Sequence, residues 1–407
     1  MKTSDTSRCN ILYLDSGSGI GGGQRSLLLL ISRLDKSRFR PFVGCMSDSP
    51  LAAEVAKTDA HVVPLSLPAA HNKLERIDRT RRFTPRDILN DLGHLKAIYQ
   101  IHRAVKEHAI ALIHANSLSV ALLGGIVARW HRIPIVMHKR YATSYGILDR
   151  ICEPLLHRVI LVSEATRWDF ASKKKQTLIY NGVDLAAFQA TETEVETLRT
   201  ELLSLVKKRA EPIITGVITR ITPEKGIHFL VRAMAELIRK DKCPSSPDIK
   251  LLIVGGPYFQ KDHGYMASLK QEVADLGVAD SVIFTGFLAD TRIVTSLLDI
   301  VLVPSIIPEA CPRTIIEAMA VGKPVIATPL GGSKELVTSE TGLLVPPEDA
   351  SAIASAIATL ASDREQLAAM GKAARLRAEQ LFSSEKNTAL TKAVYSELLT
   401  DTPRKAR

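Results

Sequence analysis

Two carboxylates and two cations carry most of the chemistry in this sequence. Glu309 and Glu317 are separated by seven residues, among them Ala310, Cys311 and Pro312. An apolar run, Ile300–Val303, ends at Pro304 and Ser305, and a second, Val325–Ala327, follows Pro324. The unit therefore reads strand–loop–helix–strand, with Glu309 in the loop and Glu317 about two turns into the helix. Carboxylates there can accept hydrogen bonds from sugar hydroxyls. Arg220 and Lys225 lie between Thr219 and Gly226, in the loop that follows the apolar run of residues 212–218. Arginine offers a planar fork for phosphate oxygens and lysine a compact charge, so the pair could neutralise a diphosphate without a metal. The plainer alternatives are a capping Glu309, an exposed Glu317 and a solvated basic turn.

Further candidates lie in the first half. Gly17, Gly19 and Gly22 fit G-x-G-x-x-G after a first apolar strand, with Asp48 near the end of a second strand as a ribose ligand. That pattern suits a dinucleotide, but Gly-rich first turns serve any ligand that needs close backbone approach. Gly21, Gly22 and Gly23 would present N–H groups to a phosphate or a sugar. His114 and His138 each end an apolar strand and are expected at the rim of a first sheet. Gly331 and Gly332 would let a sugar approach the backbone.

These groups need elements to hold them. Apolar runs at residues 11–14, 42–45, 61–65, 112–114, 135–138, 159–162 and 178–180 alternate with amphipathic stretches. A second series at 212–218, 250–254, 282–284, 300–303 and 325–327 follows the turn Asn181, Gly182, Val183, Asp184. Strands separated by helical segments imply parallel sheets. Two α/β domains with a cleft between them are expected, and ligands gather at the carboxyl ends of such strands. Residues 1–183 form the first domain and 184–380 the second. Residues 381–407 supply a last helix and a basic tail.

The 407 residues are 46% hydrophobic, enough for two cores. A net charge of +10 favours an anionic partner. Aromatic residues are only 5% and do not alternate with basic ones, which sets nucleic acid aside. The basic insertion, residues 71–86, fits an anionic membrane surface or a solvated loop. Cys9, Cys45, Cys152, Cys243 and Cys311 show no Cys-x-x-Cys spacing, so neither a disulfide framework nor a zinc site is expected. Reduced thiols, an N-terminus without an apolar core, and no apolar run of ~20 residues point to the cytoplasm, with peripheral contact at the inner face of a membrane. No Asp-x-Asp, Walker A, Gly-x-Ser-x-Gly or His-Glu-x-x-His sequence occurs, so no metal and no cofactor are expected.

Together these residues resemble glycosyltransferase family 4, retaining enzymes of the GT-B fold. The motifs are Arg220 with Lys225-Gly226, Pro304-Ser305, Glu309 with Glu317-Ala318-Met319-Ala320, Gly322-Lys323-Pro324-Val325, Gly331-Gly332 with Glu335, and residues 341–345. Gly21-Gly22, His114-Ala115-Asn116, His138 with Arg140, residues 163–166 and residues 181–184 match more loosely. The resemblance implies two Rossmann-like domains facing each other, with the last helix crossing back to the first. It assigns Arg220 and Lys225 to the donor diphosphate, Glu317 to ribose hydroxyls and Glu309 to the transferred sugar. Ala310 and Cys311 also belong to the donor-binding residues, Gly21 and Gly22 approach the donor phosphate, and His138 lines the reaction centre. Thr219 and Pro312 stand where the family commonly has glycine, and Gly23-Gln24 where Ala-Glu is common. The implied activity is transfer of a hexosyl unit from a UDP- or GDP-sugar to a glycan or lipid-linked glycan, in cell-surface polysaccharide or glycolipid synthesis. The alternatives are a nucleotide-sugar epimerase of the same fold, an NAD-dependent enzyme using Gly17–Gly22, and a non-catalytic sugar-nucleotide sensor.

Overall fold

The computed structural model describes residues 8–17, 19–67, 92–205, 211–240, 247–257 and 262–401. The basic insertion, Cys243 and the basic tail lie outside the described residues. The chain divides into two compact units, Met1–Gly182 with Ser384–Arg407, and Val183–Ser383.

The first unit is built on seven parallel strands: β1 (Cys9–Leu14), β2 (Phe39–Cys45), β3 (His61–Pro64), β4 (Ile110–Ala115), β5 (Ile135–Lys139), β6 (Arg158–Leu161) and β7 (Gln176–Leu178). Their order is β3-β2-β1-β4-β5-β6-β7. The central strands β1, β4, β5 and β6 are largely buried because helices cover both faces, which is why they read as continuous apolar runs. On one face Leu12, Leu14, Ile113 and Met137 pack with Val120 and Leu123 of helix Leu118–His131. On the other, Ile11, Tyr13, Val43 and Leu112 pack with Leu27 and Ile31 of helix Gly22–Ser32 and with Val394, Tyr395 and Leu398. Those last three belong to the final helix, Ser384–Asp401, so the end of the chain completes the first core. Asn387 Nδ2 ties that helix to the segment after β7 by donating to Tyr180 O at 2.6 Å.

The second unit has six parallel strands: β8 (Ile213–Ile218), β9 (Ile249–Val254), β10 (Val282–Gly286), β11 (Ile300–Val303), β12 (Val325–Ala327) and β13 (Gly342–Leu344), in the order β10-β9-β8-β11-β12-β13. Ile213, Val217, Leu251, Ile300 and Leu302 form its core with Leu230, Met234, Ile353 and Ile357 of the flanking helices. Two of its helices start on capping aspartates. Asp349 accepts from Ala352 N at 2.8 Å. Asp363 accepts from Gln366 N at 2.8 Å.

Candidate active site

Each sheet reverses its strand order once, and a crevice beyond the carboxyl ends is the usual ligand position at such a reversal. In the second unit the reversal falls between β8 and β11. The loop after β8 carries Arg220 and Lys225; the loop after β11 carries Ser305 and Glu309. Gly226 lets the two loops touch, because only glycine adopts its backbone conformation freely at so close an approach. Its φ is 65°, and a Cβ there would stand 2.1 Å from Pro304 O. Ile306 N donates to Glu224 O at 3.0 Å and completes the contact.

The loops bring Lys225 Nζ to 2.9 Å from Glu309 Oε1, with the side chains 15% and 21% exposed. Ser305 Oγ donates to the same carboxylate oxygen. Burial pushes the Glu309 pKa up, but the Lys225 charge, the Ser305 hydroxyl and the charge of Arg220 together hold it below the ordinary value. Glu309 is therefore an anion at neutral pH. Thr219, Lys225, Ser305, Glu309, Pro312 and Arg313 line a pocket of about 40 Å³. That is room for a small polar group; a whole drug-sized ligand fills roughly 300 Å³ or more.

The other expected groups divide around this pocket. Arg220 follows the lining residue Thr219, is exposed, and acts on Glu309 through its charge. Glu317 does not line the pocket. It sits just over one turn into its helix rather than two, because the helix is Arg313–Ala320 and Pro312 is its N-cap. Glu317 is buried, and its Oε1 lies 3.0 Å from both Nε and Nη2 of Arg313. Ala310 and Cys311 carry the backbone between Glu309 and Pro312 without lining the pocket. Gly331 packs against the Glu309 loop. At φ 61° it lies against Glu309 O, where a Cβ would stand at 2.1 Å, and Gly332 N donates to that same oxygen at 2.7 Å. The pair thus fixes the Glu309 loop. Sequence reading missed Arg313, whose only signal was a cation one residue after a helix-starting proline.

The first unit has its own polar centre, at the reversal between β1 and β4. Asp15, just past β1, accepts from Gly17 N at 2.7 Å, Gln24 Nε2 at 2.9 Å and Asn116 Nδ2 at 2.6 Å. Gln24 in turn accepts from Gly21 N at 3.0 Å, so Asp15 braces the glycine turn from below. Gly21 and Gly22 themselves are exposed at the start of their helix. Asp48, the acid expected to meet a ribose, is an exposed loop residue. Arg140 donates to Asn116 Oδ1 at 2.7 Å and to Asn181 Oδ1 at 2.6 Å.

The expectation that His114 and His138 reach a rim does not hold. Both are buried, 0% and 1% exposed, because they sit on central strands whose face is covered by the final helix. His114 Nδ1 meets the Tyr395 hydroxyl of that helix at 2.5 Å. Burial first, and the Arg140 charge second, hold His138 well below the usual histidine pKa and bring His114 down to about 3. Both imidazoles are neutral at pH 7. Arg140 Nη2 lies 3.2 Å from His138 Nδ1. A guanidinium only donates, so Nδ1 is the acceptor and the proton of the neutral ring is on Nε2. That Nε2–H is buried without a protein partner among the described residues. His138 can thus donate a hydrogen bond but is a poor base at neutral pH. No cluster of three or more His, Cys, Asp or Glu side chains that could hold a metal occurs among the described residues. None of the described helices is long and apolar enough to cross a membrane.

Comparison with known proteins places the chain in a family. The family model for Glycosyltransferase Family 4 matches residues 20–187, and that for Glycosyl transferases group 1 matches residues 201–377. The chain is 31% identical over 298 residues to the GDP-mannose-dependent alpha-(1-6)-phosphatidylinositol monomannoside mannosyltransferase of Mycolicibacterium smegmatis, covering 68% of this chain and 74% of that one. It is 31% identical over 229 residues to the lipopolysaccharide core biosynthesis mannosyltransferase LpsB of Rhizobium meliloti, covering 55% of this chain and 61% of LpsB, so it spans about three fifths of that relative's length. The crystal structure of Anabaena Alr3699/HepE in complex with UDP is similar with a TM-score of 0.79 and 25% identity, over 95% of this chain and 100% of that one. With both halves matched and two Rossmann-like units of the GT-B fold, the chain belongs to glycosyltransferase family 4.

Proposed function

We propose that this protein is a retaining glycosyltransferase that moves a hexosyl unit from a nucleotide diphosphosugar to a glycan or lipid-linked glycan. The observation that carries the reading is the Lys225–Glu309 pair, 2.9 Å apart at the strand-order reversal of the second unit. A cation for the diphosphate stands beside a carboxylate for the sugar. Relatives named for mannosyl transfer and a neighbour that binds UDP support a sugar-nucleotide donor, with UDP and GDP both candidates for its base.

In the reaction, the bond from the anomeric carbon to the diphosphate oxygen breaks and a bond to the acceptor oxygen forms on the same face. The leaving diphosphate gains negative charge, which Arg220, Lys225 and the N-terminus of helix Arg313–Ala320 stabilise. Glu309, held as an anion, grips a sugar hydroxyl and balances the positive charge that develops on the ring. The acceptor proton passes to the departing phosphate oxygen, so no side-chain base is needed.

The test incubates the chain with UDP-glucose or GDP-mannose and candidate glycan acceptors, and reads the product's anomeric configuration by proton NMR. A product of unchanged configuration supports the reading. An inverted product refutes retention, and an epimerised donor formed without acceptor refutes transfer.

A further inference from the structure

We propose that Arg313 is a third cation of the diphosphate site, exchanging the Glu317 carboxylate for a phosphate oxygen when the nucleotide binds. The inference rests on the nucleotide-sugar reading above and adds a residue that the sequence motifs did not supply.

Position is the first support. Arg313 lines the same pocket as Lys225, Ser305 and Glu309, and its side chain is only 16% exposed. Its contact with Glu317 is the second. Along a helix, an ion pair four residues apart is favoured when the acid precedes the base, and acids suit the positive N-terminus. Here the order is reversed: the cation is the first residue of helix Arg313–Ala320 and the acid lies four residues on. The pair works against the helix dipole, so helix stability does not account for it. A cation and a helix N-terminus directed at one place both favour an anion there.

The local chemistry agrees. Pro312, at the N-cap, has no N–H to offer a phosphate, whereas the guanidinium one residue later brings a fork of donors to the same loop. Two ion pairs then stand side by side, Lys225 with Glu309 at 2.9 Å and Arg313 with Glu317 at 3.0 Å. An arriving diphosphate draws both cations, and both carboxylates become available to hydroxyls. No covalent step is involved.

The experiment is calorimetric titration of the full chain with UDP and with GDP, for wild type, Lys225→Ala, Arg313→Ala, Arg313→Lys, Glu317→Gln and the double variant Arg313→Ala/Glu317→Gln. Circular dichroism checks that each variant is folded. Loss of a charge-assisted contact predicts that Arg313→Ala weakens the bound nucleotide about tenfold to a hundredfold, with partial recovery in Arg313→Lys. The decisive comparison is the cycle. If Arg313 exchanges the carboxylate for phosphate, its removal costs at least as large a factor in the Glu317→Gln background as in wild type. If it merely holds Glu317, the cost disappears in the Glu317→Gln background, and the proposal is overturned. Unchanged affinity in Arg313→Ala overturns it too. Should Lys225→Ala weaken binding while Arg313→Ala does not, this inference alone falls; should wild type bind neither nucleotide, the functional reading falls with it.

Discussion

Replacing Gly331 by alanine should cripple the site while leaving most of the fold standing. A Cβ at that position would stand 2.1 Å from Glu309 O and 2.8 Å from Glu309 N, where ordinary contact begins at 3.4 Å. The obstacle is backbone, so the Glu309 loop itself must retreat. The residue is also held at φ 61°. That conformation costs an alanine roughly 1–2 kcal/mol. A displacement of about 1 Å at a reacting centre is worth about a hundredfold in rate. We therefore expect turnover to fall by about two orders of magnitude, with nucleotide affinity reduced and the melting temperature lowered by only a few degrees. Gly264→Ala is the control. It lies in helix Asp262–Asp275 with nothing within 4 Å of its virtual Cβ. Alanine there should stabilise by about 0.5–1 kcal/mol. Turnover and melting temperature are read on the same preparations. Wild-type turnover in Gly331→Ala would refute the claim that this glycine sets the position of Glu309.

Other outcomes follow from the same geometry. Glu309→Gln leaves Lys225 without its anionic partner and removes the sugar grip, so turnover should drop a hundredfold or more while the nucleotide alone still binds; unimpaired transfer would contradict the assigned role. His114 and His138 are neutral in the fold, with pKa values below the unfolded value near 6.5. The unfolded chain takes up their protons first as pH falls, so these two sites should cost stability from about pH 6.5 downwards, by up to ~1.4 kcal/mol per pH unit each. In urea titrations from pH 7 to pH 5 a His114→Asn variant should show a shallower slope than wild type, and an equal slope would count against a buried neutral histidine. Tyr395→Phe removes the hydroxyl that lies 2.5 Å from His114 Nδ1. It should cost about 1–3 kcal/mol of stability, read from the urea midpoint, with turnover little changed.

Much of this architecture was legible because parallel strands buried on both faces leave continuous apolar runs. Ile300–Val303 and Val325–Ala327 stand as read, and β8 (Ile213–Ile218) begins one residue later than its apolar run. β7 was placed two residues late, since Gln176 and Thr177 carry no apolar signal although Gln176 is buried against Trp168. β13, Gly342–Leu344, was not read as a strand. Lys225 and Glu309 could be found by type and spacing, as each follows a recognisable strand end. Glu317 was singled out by spacing, but its partner was not: a contact four residues away on one helix depends on where the helix starts, and Pro312 sets that start. The histidines misled for a different reason. A strand end looks like a rim in one dimension, and only the return of the final helix, whose Tyr395 lies 281 positions from His114, covers it. Asp15 was missed because a lone acid after a strand says nothing of the three donors that the fold brings to it.

The central claim is that Lys225 and Glu309 form the diphosphate–sugar site. Calorimetric titration of wild type and Lys225→Ala with UDP-glucose and GDP-mannose tests it most directly. The account predicts saturable binding of at least one donor by wild type, weakened a hundredfold or more when the lysine is removed. Equal affinity in the two proteins, or no binding of either donor by wild type, would contradict it.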